Sequence, residues 1–569
     1  MNFKALVIFI IINFSCALSP TNGYAPGTVS CPGTQLTRSG SEGINSKEQA
    51  YIEARYTVAK QALSDFLNGA NMKDFDVDSF LSSSNPTIGL AVSGGGYRSM
   101  LTGAGQLSAL DSRIQSDSPV LAGILQASNY VAGLSGDAWL VGSLASNDFI
   151  SVDEILSEGN LWDISHSIIS YYGLPHPIKQ VEEWTDIALQ VRSKSGAGFN
   201  VSMTDIYGRL LSYPLLTTSL QNEGDAYLWS DVASSSEFQN HQMPYPILVS
   251  DGREPGSKVV NINSTVIELT PYEFGSWDPS LNNFVETKYL GTNIENGYPT
   301  DNCLSVSGSE IPSILKDLLN DILVNPLYQS NVDIAAFNPN PFYKTQDADT
   351  KISQSPTLYL ADGGEDGQNI PLAPLVHRKV SVIFAFDNSK DTSTTWPDGT
   401  SLIKTYERQF SEQGAGFAFP YVPDQYTFRN LNLTSHIYDV PLVIYNANRP
   451  FSYWSNTSTF KLKYSEEEKQ AMIANGYEVA SRKNGTLDDE WAACVGCAII
   501  RREQERQGIE QSEQCKRCFE NYCWDGTIYT GEPLGDNFSD DGLTYSADEY
   551  NQDSVAGFGD GGTLIFKKK

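Results

Sequence analysis

Two hydrophobic spacings alternate along the first third of the chain. Tyr51, Ala54, Val58, Ala62 and Phe66 recur at helical intervals. Ser46 offers an N-cap with Gln49 three residues on, and Asn68-Gly69 closes the run, which predicts a helix. Pro86 then opens a short apolar run, Thr87 to Val92, that predicts a buried strand leading straight into Ser93-Gly94-Gly95-Gly96-Tyr97-Arg98. Met100, Leu101, Ala104, Leu107 and Leu110 mark the next helix, and Pro119 to Gln126 a shorter one. A second β-prone run, Tyr130 to Leu134, reaches Ser135-Gly136-Asp137 and a helix-competent stretch, Ala138 to Ala145. Strand, glycine loop, helix, strand, glycine-serine turn and helix in succession is an α/β pattern.

The pattern blurs between residues 150 and 350. Short helical runs such as Pro312 to Leu323 and strand candidates such as Val259 to Ile267 are interleaved with aromatic loops. No repeat or linker divides this stretch, so it reads as an elaboration of one domain. Buried-type strands return at Thr357 to Ala361, which ends on Asp362-Gly363-Gly364, and at Val380 to Phe386 and Val440 to Tyr445.

Three glycine-bearing strand ends therefore stand out, and ligands of open α/β sheets collect at strand C-termini. A serine on a strand-to-helix turn stands clear of its neighbours, beside a helix N-terminus that favours developing negative charge. Gly94-Gly95-Gly96 lacks both nucleotide-loop spacings, G-x-x-x-x-G-K-S/T and G-x-G-x-x-G. Its backbone N–H groups suit an oxyanion hole instead. Each piece alone is also what an ordinary connector looks like.

At 569 residues with a formal net charge of −30, the chain is acidic overall, which argues against nucleic-acid partners. Met1 to Ala17 has the layout of a secretory signal: Lys4, an apolar stretch from Ala5 to Phe14, then Ser15-Cys16-Ala17. The apolar stretch is short for a transmembrane anchor, and the C-terminal Phe566-Lys567-Lys568-Lys569 carries no GPI signal. Export is the expectation, and sequons at Asn200, Asn263, Asn432, Asn456, Asn484 and Asn537 fit it as surface glycosylation sites. Beyond the signal lie Cys31, Cys303, Cys494, Cys497, Cys515, Cys518 and Cys523. Their C-x2-C, seventeen-residue, C-x2-C spacing also suits zinc, but an exported chain favours disulfides, with one thiol left over. No metal or other cofactor is expected, and the pairing stays open.

Taken in order, Ser93-Gly-Gly-Gly-Tyr-Arg98, Gly133-Leu134-Ser135-Gly136 and Asp362-Gly-Gly resemble the catalytic signatures of the secreted fungal-type phospholipase B/lysophospholipase family. That family shares its catalytic domain with the group IV cytosolic phospholipases A2. The cysteine block from Trp491 to Gly526 is similar too, so the resemblance runs from about Tyr24 to about Thr527. It implies an α/β fold with a mixed central sheet flanked by helices, of the cytosolic phospholipase A2/patatin kind, with large loop and cap elaborations. The implied division is a signal at 1–17, a catalytic domain at 24–527 with its Cys-rich segment at 491–524, and an acidic Gly/Asp-rich tail at 528–569.

The resemblance further implies Ser135 as nucleophile and Asp362 as its partner in a dyad. Gly95 and Gly96 would be oxyanion donors, and Arg98 a phosphate ligand or oxyanion support. Phospholipids and lysophospholipids at membrane or micelle surfaces would be the substrates. One departure is Asp137, where the family often has Ser or Gly; the expectation is that it points away or caps the helix.

Two rival readings remain. A Ser-His-Asp carboxylesterase would need one of His166, His176, His241, His377 and His436, with His436 the least poor candidate. A binding protein on a decayed hydrolase scaffold would have lost a core residue, yet Arg98, Ser135 and Asp362 are all present.

Overall fold

The computed structural model describes residues 19–523 except 117, 160, 173–175, 217–223, 306–334, 421 and 423–439, together with Thr563–Leu564. The signal segment, the Pro312 to Leu323 run and nearly all of the tail lie outside the described residues. In chain order the elements that place the site are α1 Ser46–Gly69, β1 Ile88–Val92, α2 Tyr97–Leu110, β2 Tyr130–Leu134 and α3 Gly136–Ser146. Next come α4 Pro177–Gly196, α5 Met203–Leu215, β3 Tyr245–Arg253, β4 Thr265–Leu269, β5 Glu273–Ser276 and β6 Asn283–Glu286. The set ends with β7 Leu358–Asp362, β8 Val382–Asp387, β9 Leu442–Ala447, α6 Glu466–Ser481, α7 Trp491–Gln507 and α8 Glu513–Tyr522.

One mixed sheet organises the molecule. Its strand order is β9-β8-β1-β2-β3-β4-β5-β6, continued by the edge strand Thr37–Ser39. β9, β8, β1, β2 and β3 run parallel, and β4, β5 and β6 turn antiparallel. Every residue of β1, β2, β3 and β8 is buried, as expected of parallel strands covered by helices on both faces. Helix α3 packs on β2 and β3, α7 on β8 and β9, and α6 along α2.

β7 is the unusual strand. It runs antiparallel to β3, with Asp362 opposite Ser250, while β2 pairs with the first half of β3 and ends with Leu134 opposite Val249. β4 occupies the other edge of β3 across the same residues. β2 and β7 therefore share one edge of β3 and meet head to head, each presenting its C-terminal end.

Several local expectations shift. The N-cap of α1 is Asn45, whose side chain accepts from the Lys47 N–H, one residue earlier than Ser46. Its buried face is Glu48, Tyr51, Arg55, Ala59, Leu63 and Phe66, rotated from the Ala54–Val58 stripe because two charged residues are buried. The Pro119 to Gln126 run is helical only over Ile124–Ala127, since Gly123 takes a left-handed conformation and interrupts it. The Val259 strand begins only at Thr265 because Asn261 to Ser264 forms a turn. Tyr24 is buried, and its hydroxyl donates to Asp205.

The cysteines form disulfides: Cys31–Cys303, Cys494–Cys518 and Cys497–Cys515, with Cys523 free. The last two pairs tie successive turns of α7 to successive turns of α8. Of the sequons, Asn200 and Asn263 are exposed. Asn456 and Asn484 are only half-buried, because their side-chain amides donate to the carbonyls of Thr394 and Ser118. Asn432 and Asn537 lie outside the described residues.

Candidate active site

The head-to-head meeting of β2 and β7 sets the geometry of the site. Ser135 is the first residue past β2, and its hydroxyl donates to Asp362 Oδ2 over 2.8 Å across a sequence separation of 227. Its backbone sits at φ 52°, ψ −122°, a conformation that a non-glycine residue adopts only when its surroundings enforce it. The Ser135 carbonyl already accepts from Ala138 and Trp139, so the residue is also the N-cap of α3. Asp362 is further fixed through Oδ1, which accepts from the Gly364 N–H at 3.0 Å.

The glycine loop after β1 lies alongside. Gly94 donates its N–H to the Asn369 carbonyl, and the Asn369 side chain returns a 3.0 Å bond to the Gly94 carbonyl. The N–H groups of Gly95 and Gly96 donate to no acceptor among the described residues. Gly95 at φ 148° and Gly96 at φ 63° hold a backbone path that side chains resist, and Gly96 is the N-cap of α2. These are the donors an oxyanion requires, next to the serine and at a helix N-terminus.

Arg98 is buried beneath this loop. Its Nε donates to the Asn388 carbonyl at 3.1 Å, and Nη1 to the Thr457 carbonyl at 2.9 Å and Thr459 Oγ1 at 2.8 Å. Desolvation pushes it down to about 10, which leaves it a cation at neutral pH. Of its two expected roles, this geometry favours support of the glycine loop. Asn388 is a residue that sequence patterning missed: its N–H donates to Ser93 Oγ at 2.6 Å, binding the end of β8 to the end of β1. The only signal for it is a polar residue directly after a buried strand.

Asp137 does not cap α3; its carboxyl turns into the protein, against Gly103 and Asn388. It is fully buried, with Oδ2 accepting from Asn388 Nδ2 at 3.4 Å and Oδ1 unpartnered. Burial raises its carboxyl well above the usual range, with Asn388 and then Arg98 opposing. Burial therefore disfavours the charged form of this carboxyl.

The described histidines are engaged elsewhere. His166 bonds Ser165, His176 is exposed ahead of α4, and His241 lies 5.1 Å from the Tyr51 ring. His377 stacks on Trp277 and is pushed down to about 3 by desolvation, then by Arg378 and Arg408. His436 lies outside the described residues.

Comparison with known proteins identifies the family. A family model described as the lysophospholipase catalytic domain matches residues 88–309 and 302–529. The chain belongs to the lysophospholipase family. It is 67% identical to lysophospholipase 1 of Candida albicans across 99% of both chains. It is 44% identical to lysophospholipase 3 of Saccharomyces cerevisiae over 93% of this chain and 85% of that one. Human GIVD cytosolic phospholipase A2 shares the fold at a TM-score of 0.61 and 16% identity, covering 84% of this chain and 69% of that one. This lysophospholipase family member is accordingly a carboxylic ester hydrolase, with the α/β fold and mixed central sheet that its motifs implied.

Proposed function

We propose that the chain is a secreted lysophospholipase/phospholipase B that cleaves fatty acyl esters of lysophospholipids and phospholipids through an acyl-serine intermediate. The observation that carries this reading is the 2.8 Å bond from Ser135 Oγ to Asp362 Oδ2, formed on a strained turn beside two unpaired glycine amides. Asp362 takes the Ser135 proton as Oγ attacks the ester carbonyl. The carbonyl oxygen becomes an oxyanion facing the Gly95 and Gly96 N–H groups; losing one such donor costs about 10²–10³ in rate. Collapse expels the glycerol oxygen, which takes the proton back from Asp362. Water then attacks the acyl-serine, passing its proton to Asp362, and the released Ser135 oxygen recovers it.

A carboxylate base stays ionised at pH values where a histidine base is lost, so substantial turnover is expected in acid. Three disulfides suit an oxidising, extracellular or cell-wall setting. No helix among the described residues is long and apolar enough to cross a membrane. Contact with lipid aggregates has a ready surface on α4. Of the ten most exposed large apolar side chains among the described residues, six lie between Ile169 and Val201, including Ile178, Val181, Trp184 and Leu189.

Turnover of lysophosphatidylcholine by wild type, Ser135→Ala and Asp362→Asn tests the mechanism. Each variant is expected to lose about 10³-fold or more while staying folded. Full activity in either overturns the dyad. Labelling of wild type, but not Ser135→Ala, by a fluorophosphonate tests the acyl-serine step.

A further inference from the structure

Beside the dyad stands an aromatic group whose polar atoms the fold leaves unused. The rings of Tyr97 and Trp139 meet edge-on at 5.3 Å, and those of Trp139 and Tyr207 lie 6.3 Å apart. Tyr97 directly follows the glycine loop, Trp139 sits one turn past Ser135 on α3, and Tyr207 comes from α5. The Tyr207 hydroxyl is also close enough to Asp362 to feel its charge. Tyr97 Oη, Trp139 Nε1 and Tyr207 Oη are all buried without a hydrogen-bond partner. Exposures of 1%, 5% and 4% make them as buried as Ser135 at 8%, and Tyr97 and Trp139 lie on the two helices that begin at the glycine loop and at Ser135.

Buried donors are normally paired, and three unpaired ones in a single cluster call for an acceptor that arrives from outside. The stack itself shows that pairing is feasible. Tyr464 lies 6.3 Å from Tyr97, and its hydroxyl is within 2.6 Å of Thr457 Oγ1. The chemistry of a lysophospholipid narrows the choice of acceptor. Its acyl chain has none, and its carbonyl oxygen is taken by the Gly95 and Gly96 N–H groups. The acceptors left are the oxygens of the glycerol and the phosphodiester, while the Arg98 guanidinium is already engaged with Asn388, Thr457 and Thr459.

We propose that Tyr97, Trp139 and Tyr207 form the binding subsite for the glycerophosphate side of the substrate, their hydroxyl and indole N–H groups donating to its oxygens. This rests on the lysophospholipase reading above. Tyr207→Phe and Tyr97→Phe in the full chain remove a donor and keep the ring.

Three substrates with one acyl chain distinguish the possibilities: palmitoyl lysophosphatidylcholine, monopalmitoylglycerol and p-nitrophenyl palmitate. The loss of kcat/KM on the lysophospholipid should exceed that on the p-nitrophenyl ester by about tenfold. A loss shared by monopalmitoylglycerol assigns the glycerol oxygens; one confined to the lysophospholipid assigns the phosphate. Equal losses on lysophospholipid and p-nitrophenyl ester, or no loss on the lysophospholipid, overturn the subsite. The thermal midpoint should not fall, because no protein hydrogen bond is removed, and a fall of several degrees also counts against it. Wild type that cleaves the p-nitrophenyl ester but no lysophospholipid would instead refute the lysophospholipase reading.

Discussion

Asp137 rests its carboxyl on Gly103, at a spot where a β-carbon on residue 103 would collide with Oδ1. The close approach holds the carboxyl where the protein gives it one hydrogen bond, from Asn388. Burial disfavours the charged carboxylate and Asp137→Asn keeps the shape, so activity should stay within a few-fold and the pH–rate profile should not move. A displaced acid limb would show that Asp137 titrates during turnover. Gly103→Ala forces the carboxyl aside and is expected to cost about 1–3 kcal/mol of stability, read by denaturant unfolding.

Gly94 is pressed against Ser135 in the same way. A β-carbon there would stand 2.7 Å from Ser135 Cβ. Gly94→Ala should therefore displace Ser135 and lower kcat by about 10²-fold, since a misplacement near 1 Å costs that much. A variant with normal kcat would show that the serine has slack.

Stability should favour acid. Desolvation raises Asp391 to about 8 and Asp231 to about 7, while Asp278 and Asp366 stand at about 6. Each binds its proton more tightly folded than unfolded. Its contribution is full below the ordinary carboxyl value of about 4 and is lost as pH rises through the folded value. His377 works the other way, but only as pH falls below its ordinary 6.5. Between pH 6 and pH 9 the thermal midpoint should drop by several degrees. A flat or rising midpoint would mean these carboxyls are ionised in the fold.

A buried ion trio fastens α1 to β4. Arg378 donates from Nε and Nη2 to Glu48 at 2.6 and 2.9 Å, and from Nη1 and Nη2 to Glu268 at 2.9 and 2.7 Å. All three side chains are at most 3% exposed. Glu48→Ala leaves Arg378 balanced by Glu268 alone but strips Nε of its acceptor, and should cost about 1–3 kcal/mol. A loss under about 1 kcal/mol in urea unfolding would show that Glu268 alone suffices.

Patterning alone located β1, β2, β7, β8 and β9 to within two residues, because buried strands with glycine at their ends leave an unbroken apolar signal. Ser135, Asp362, Gly95 and Gly96 were named from those ends and from family resemblance. The structure brings Ser135 and Asp362 into contact. What stayed hidden depends on distant partners. The inward face of α1 is set by Arg55, which donates to the carbonyls of Ser128 and His241, and no local spacing encodes such bonds. Asn369 and Asn388 likewise acquire their places only when the ends of β1, β7 and β8 come together. The head-on arrival of β7 was equally invisible, since one β-prone pentapeptide reads the same in either direction.

That arrival separates two kinds of inheritance in this chain. Ser135 and Asp362 hang from neighbouring positions on one edge of β3, so their spacing is a property of strand register. The segments around β3 carry α3, α4 and α5 and the aromatic side chains of Trp139 and Tyr207. Descendants can lengthen, trim or repaint those segments while the Ser135–Asp362 pair stays where β3 holds it.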